Sequence, residues 1–183
     1  MGARMIDSRT RVFLTGAGGA GTIEVMKAMR ASGRYFVITA DASPYAGGYA
    51  VADRSYVVPM GASDDFEESF RRIVQRERPH FVIPLVDEEI PKVHRVVAAL
   101  DERPRVVGPR LEFSVMAPDK WQTAVALRDA GLPSAPTWLA SAAEGCTSPA
   151  TIKPRQGRGT RGLAFLAGPA ELAAYLARAD RPA

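Results

Sequence analysis

Lys153 closes a short apolar run and is followed by Pro154, Arg155 and then Gly157, Gly159 and Gly162, interleaved with Arg158, Thr160 and Arg161. A cation at a strand end beside a glycine-rich, donor-rich loop suits the gripping of phosphate. Glycines let backbone N–H groups wrap around phosphate oxygens, and a lysine ammonium reaches them as a point charge. The segment is not a Walker loop, because no G-x-x-x-x-G-K-[ST] occurs and here the lysine precedes the glycines. Taken alone, it reads equally well as a solvated basic hairpin turn.

A second glycine motif lies near the N-terminus. Gly16-Ala-Gly18-Gly19-Ala-Gly21 satisfies G-x-G-x-x-G and is trailed by Asp41 after the next apolar run, the pattern of a dinucleotide site. Such a turn opens helix N-terminal N–H groups to an anion, which does not separate the pyrophosphate of NAD(P) from a carboxylate or phosphate substrate. The glycines also serve to pack strand against helix, so three uses remain open. Asp87, Glu88 and Glu89 follow another apolar run, where open α/β sheets bind ligands. They suit a substrate amine, and they equally suit an acidic helix start that complements the dipole. His80 and His94 have no Ser or Cys partner arrangement and are assigned no chemistry. Two histidines and the single Cys146 give neither metal-ligand spacing nor an internal disulfide.

The elements that must position these groups follow from periodicity. Residues 11–15 (RVFLT) predict a strand, and residues 22–30, with Ile23, Met26 and Met29 at helical spacing, a helix. Residues 35–40 and 56–58 read as buried strands separated by a turn-rich loop. A helix over 63–76 places Phe66, Phe70, Ile73 and Val74 on one face; a strand follows at 81–85. A further helix, from 88 or 89 to 100, turns Ile90, Val93, Val96, Val97 and Leu100 inward before a strand at 105–107. This alternation implies a parallel sheet with right-handed crossovers. After Gly108-Pro109 the pattern changes to two helices at 111–116 and 119–130, short strands at 137–140, 150–153 and 162–166, and a helix at 170–178. Trp121 and Trp138 are expected to pack the helical connection against this second unit.

Bulk properties bound the function. The chain has 183 residues, 46% hydrophobic and 24% charged, enough for one good core and an appendage. The net charge is +4, with arginine supplying twenty of the twenty-four positive residues and lysine only Lys27, Lys92, Lys120 and Lys153. That charge is spread along the sequence without a dense basic run or aromatic interleaving, so no nucleic-acid partner is expected. No window approaches a membrane span, and the N-terminus has no stretch of signal-peptide length. A cytoplasmic protein without a membrane partner is the expectation.

In order, the segments GAGGAGTIEVMKAM, DASPYAGGYAVADRSYVVP, VIPLVDEE, APDKWQTAVALRDAGLPSAPTW and ATIKPRQGRGTRG resemble an ATP-grasp protein of the carbamoyl-phosphate synthase large-subunit-like group, over roughly residues 11–176. The resemblance implies an α/β chain: a Rossmann-like parallel-sheet pre-ATP-grasp domain over 1–109, then a helical connection and a partial α+β ATP-grasp lobe over 110–183. It implies that Lys120 and Lys153 hold ATP phosphates and that residues 157–162, among them Gly157, Arg158, Gly159, Thr160 and Gly162, form the loop covering them. On the substrate side it assigns Gly16, Gly18, Gly19 and Gly21, with Asp87, Glu88 and Glu89 beside them. ATP and a small carboxylate are the implied ligands, with a homodimer as the expected assembly.

The family's Mg2+ ligands, its adenine-facing hinge and its acylphosphate arginine have no match in the 183 residues. The chain is therefore expected to be a fragment that does not catalyse alone. Two other readings stand beside this one. An NAD(P)-dependent reductase or epimerase would need a Tyr-x-x-x-Lys pair, which is absent; a non-catalytic nucleotide-binding module would not.

Overall fold

The computed structural model describes residues 8–145, 149–157 and 162–178. The chain divides into two compact units, residues 1–114 and 115–183.

The first unit is built on five parallel strands: β1 (Thr10–Thr15), β2 (Tyr35–Asp41), β3 (Arg54–Val57), β4 (Phe81–Ile83) and β5 (Arg105–Val106), in the order β3-β2-β1-β4-β5. Helices α1 (Ala20–Ala31), α2 (Phe66–Glu77) and α3 (Ile90–Ala98) form its crossovers. Side chains alternate across the pleat, so the sheet buries both faces. Val12, Leu14 and Val37 pack with Met26 of α1. Phe13, Ile38 and Ala40 pack with Phe66, Phe70, Ile73 and Val74 of α2 and Val93, Val96 and Val97 of α3. Phe70 stacks on Phe13 at 5.3 Å and on Phe66 at 5.8 Å between ring centroids. The predicted inward faces of α2 and α3 are thus the buried ones.

Three expectations need correction here. The run at 56–58 is not a buried strand: β3 spans Arg54–Val57 at the sheet edge, and Val57 is 57% exposed. An edge strand has one flank without a partner, so a hydrophobic run alone does not report burial. Helix α2 begins at Phe66 rather than 63, because residues 63–65 form a turn in which the Phe66 N–H donates to the Ser63 carbonyl (3.3 Å). Strand β4 ends at Ile83, since Pro84 has no N–H to continue a ladder.

The division between the units falls within helix α4 (Leu111–Met116). The second unit contains α5 (Lys120–Asp129), the antiparallel pair β6 (Ala150–Ile152) and β7 (Ala164–Leu166), and α6 (Pro169–Leu176). The strand expected at 137–140 is not formed: residues 137–139 are irregular and Ala140 opens a 3-10 turn that runs to Gly145. Pro133 and Pro136 precede it, and among the described residues β6 and β7 pair only with each other, which leaves this run no ladder to join there. Trp138 stands 46% exposed, against the packing role expected of it.

Candidate functional site

In an open parallel sheet, ligands bind at the carboxyl ends of the strands where the winding direction reverses, here between β1 and β4. The loops leaving these strands carry the glycine turn and the acidic turn, and the fold brings them together. The Leu85 N–H donates to the buried Thr15 Oγ1 (3.1 Å), which ties the two loop roots. Gly16 has φ +73°, and a Cβ there would lie 2.9 Å from Val86 Cγ2, so only glycine allows this approach. Gly18, Gly19 and Gly21 are exposed where α1 starts. Asp87 and Glu88 are exposed in the turn after β4, whereas Glu89 is 4% exposed at the N-cap of α3.

Asp41 has a local use that the sequence did not disclose. The Gly18 N–H donates to its Oδ2 (2.7 Å) and the Ser43 N–H to its Oδ1 (2.8 Å). The segment after β2 then folds back over the glycine turn. The Gly48 N–H donates to the Ala17 carbonyl (3.0 Å), and a Cβ on Gly48 would meet that oxygen and Met26 Cε at 2.5 Å. Tyr49 pins this turn, with its hydroxyl within 3.1 Å of the Asp41, Ser43 and Tyr56 carbonyl oxygens. Burial, and then the Asp41 carboxylate, push the Tyr49 pKa upward, so the hydroxyl stays a donor. The acid that a dinucleotide ribose would need is therefore engaged by the loop itself. The Gly47-Gly48 pair within DASPYAGGYA was the available signal for this close approach.

In the second unit, two segments far apart in sequence meet. Asp119 caps α5, accepting from the Trp121 (3.0 Å) and Gln122 (3.2 Å) N–H groups. The same carboxylate takes both arms of the Arg155 guanidinium, Nε at 3.2 Å and Nη2 closer still. The Arg155 pair, helped by the two backbone donors, holds the Asp119 carboxyl below the usual carboxylate range despite its desolvation. The Lys120 N–H donates to the Arg155 carbonyl (2.9 Å), and its Nζ donates to the Gly157 carbonyl (2.9 Å). Lys153 is exposed at the end of β6, and Gly157 takes φ +128°. Thus Lys120 and the segment that follows Lys153 are joined by main-chain and side-chain bonds. Gly162 lies in the turn before β7; Arg158, Gly159, Thr160 and Arg161 lie outside the described residues, as does Cys146. Asp119 was not singled out from sequence, although an aspartate directly before a helical run is the usual capping signal.

No group of three or more His, Cys, Asp or Glu able to hold a metal occurs among the described residues. The described residues therefore do not fit a Mg2+ site. Among the described residues, no helix is long and apolar enough to cross a membrane.

A five-stranded parallel sheet wound on both faces, with its glycine turn at the reversal, is a Rossmann-like, doubly wound α/β fold. Within that class the chain belongs to the family described as PylC-like, N-terminal domain, which matches residues 12–103.

A formate-dependent phosphoribosylglycinamide formyltransferase of Burkholderia mallei (strain SAVP1) is 39% identical over 87 residues, 48% of this chain and 20% of that protein. The chain thus aligns with about a fifth of the length of this curated relative. Among solved structures, the ADP-complexed N5-carboxyaminoimidazole synthetase of Staphylococcus aureus matches with a TM-score of 0.67 at 16% identity, covering 90% of this chain and 43% of that one. The glycinamide-RNase-transformylase T of Mycobacterium tuberculosis matches with a TM-score of 0.57 at 22% identity, covering 75% and 40%. These structural likenesses establish the fold.

Proposed function

We propose that this chain supplies the substrate-side domain and the first phosphate-gripping elements of a cytoplasmic ATP-dependent ligase that joins a carboxylate to an amine or another nucleophile through an acylphosphate, of the carbamoyl-phosphate synthase-like kind. The observation that carries this reading is the junction of Lys120 with the segment from Lys153 to Gly157. Lys120 and Lys153 would meet the nucleotide's phosphate oxygens, and residues 157–162, including Arg158, Gly159, Thr160 and Gly162, would close over them. ATP would supply the phosphoryl group; these residues would neutralise and align it, because such transfers need positioned cations more than covalent help.

On the other unit, Gly16, Gly18, Gly19 and Gly21 would shape the substrate side. Asp87, Glu88 and Glu89 would favour an amine-bearing group there. Magnesium would be held by acidic groups outside the described residues, and the chain by itself is expected to bind nucleotide without turning it over. The engagement of Asp41 by Gly18 and Ser43 weighs against the dinucleotide alternative.

The test is titration of a fluorescent ATP analogue into the wild-type chain and into Lys153→Ala and Lys120→Ala. Loss of one charge-assisted phosphate contact should weaken binding about tenfold in each. Unchanged affinity in both variants would overturn the assignment.

A further inference from the structure

The arginines that are spread through the sequence are gathered by the fold. At the amino ends of the strands, Arg11 of β1 and Arg54 of β3 flank Phe36 of β2, and Arg9 joins them; their guanidinium carbons lie 4.4, 5.7 and 5.1 Å from the Phe36 ring centroid. Beneath them sits the Glu77 carboxylate, with a side chain 0% exposed at the end of α2. Arg54 Nη1 donates to it at 2.9 Å, Arg11 and the Tyr56 hydroxyl bond it at short range, and Arg76 Nε lies 3.9 Å away. Beside this hub, Asp53 faces Arg9 at 3.4 Å and Arg30 at 3.9 Å.

Backbone carbonyls take some of these donors, Tyr35 from Arg9 Nη1 (3.3 Å), Glu77 from Arg11 Nε (2.6 Å) and Val51 from Arg30 Nη1 (2.7 Å), and the aliphatic stems alone would cover the core without gathering charge. Among the described residues, Arg11, Arg54 and Arg76 all pair with the single Glu77 carboxylate. Arg30, Arg54 and Arg76 have side chains 43%, 47% and 73% exposed. Arg34 and Arg105, exposed at or before the starts of β2 and β5, add to the same edge. The opposite edge carries Asp41 at the end of β2 and Asp64, Asp65, Asp87 and Glu88 in the turns after β3 and β4, with Glu89 buried at the N-cap of α3. Crowded guanidiniums with an excess of charge repel one another unless an anion completes the set.

We infer that the Arg11-Arg54-Arg76 hub, with Arg9 and Arg30 beside it, is an anion-binding surface for a multivalent phosphate chain, inorganic or nucleotide-borne, on the sheet edge opposite the glycine turn. It uses none of the residues assigned above to the nucleotide and does not rest on the function proposed above.

The test is calorimetric titration of inorganic tripolyphosphate, and of ATP in parallel, into the Lys120→Ala/Lys153→Ala chain at low salt. Saturable binding of tripolyphosphate should persist there. Arg76→Gln, which leaves the Arg11, Arg54 and Tyr56 bonds to Glu77 in place, should weaken binding about fivefold, and Arg54→Gln by a similar factor. Arg72→Gln, an equal loss of charge on the part of α2 paired to Glu68, should leave it unchanged. Equal affinity for tripolyphosphate and ATP would support recognition of the bare phosphate chain, and tighter ATP binding would support a nucleotide. Absence of saturable binding, or an equal loss in Arg72→Gln and Arg76→Gln, would overturn the inference.

Discussion

The two units hold themselves together by different means. In the first, Phe13, Phe66, Phe70, Met26, Ile38 and Val96 are all fully buried between sheet and helices. In the second, α5 has no buried residue, and among the described residues only Leu166 and Leu172, both 8% exposed, are buried hydrophobics. What organises the second unit is polar: Asp119 on Arg155, and Lys120 on Gly157. An apolar core fixes a fold against most surface changes, whereas a few polar contacts at the surface, such as that of Lys120 with Gly157, leave the groups they join free to exchange those partners for a ligand's.

The largest effect that would sharpen this contrast is at Phe70. Phe70→Ala should cost about 4 kcal/mol of stability through lost burial and the cavity left behind, read by urea unfolding. Leu172→Ala in the second unit should cost well under half of that; comparable losses would break the contrast.

The next effect lies at Glu77. Burial alone would raise its pKa, but hydrogen bonds from Tyr56 and Arg54 and the charges of Arg54 and Arg11 outweigh it and lower the value. A carboxyl with a depressed folded pKa contributes stability that is present above its unfolded value, about 4.3, and lost as pH falls through the folded one. Glu77→Gln should therefore lower stability near neutrality by about 3 kcal/mol and flatten the acid limb of the stability profile. An unchanged acid limb would remove Glu77 as the hub of the first unit.

Gly48→Ala should be milder, about 2 kcal/mol, because the added carbon meets the Ala17 carbonyl oxygen and must displace the turn. If thermal melting shows no loss, the docking of that turn on the glycine loop is wrong.

The smallest global effect is expected at Asp119. Asp119→Asn should leave the unfolding transition of the first unit unchanged while speeding hydrogen exchange at the Trp121 and Gln122 amides. Since Arg155 lowers the Asp119 pKa, the wild-type protection should persist through mildly acid pH and fade only below the usual carboxylate range. Loss of protection near pH 6 would contradict that pairing.

This division also explains what the sequence could disclose. The buried faces of α2 and α3 were legible at Phe66, Phe70, Val93 and Val96, because a core imposes its period on the residues that fill it. The edge position of β3 was not, since Tyr56 and Val57 look alike whether or not a further strand follows. The run at 137–140 failed for a related reason: pairing decides a strand, and its partner is not visible locally. At the sheet reversal, the meeting of Gly16 with the turn after β4 followed from strand order, whereas the occupation of Asp41 by Gly18 and Ser43 depended on a loop that folds back. The gathering of arginines at one edge was hidden because each occupies the start of a strand or the end of a helix, positions tens of residues apart.

The central claim is that the chain grips a nucleotide by its phosphates through Lys120 and Lys153 and leaves its first glycine turn to another ligand. Calorimetric titration of ATP and of NADH into the wild-type chain tests it most directly. Saturable ATP binding with none for NADH is the predicted result; tight NADH binding with none for ATP would contradict it.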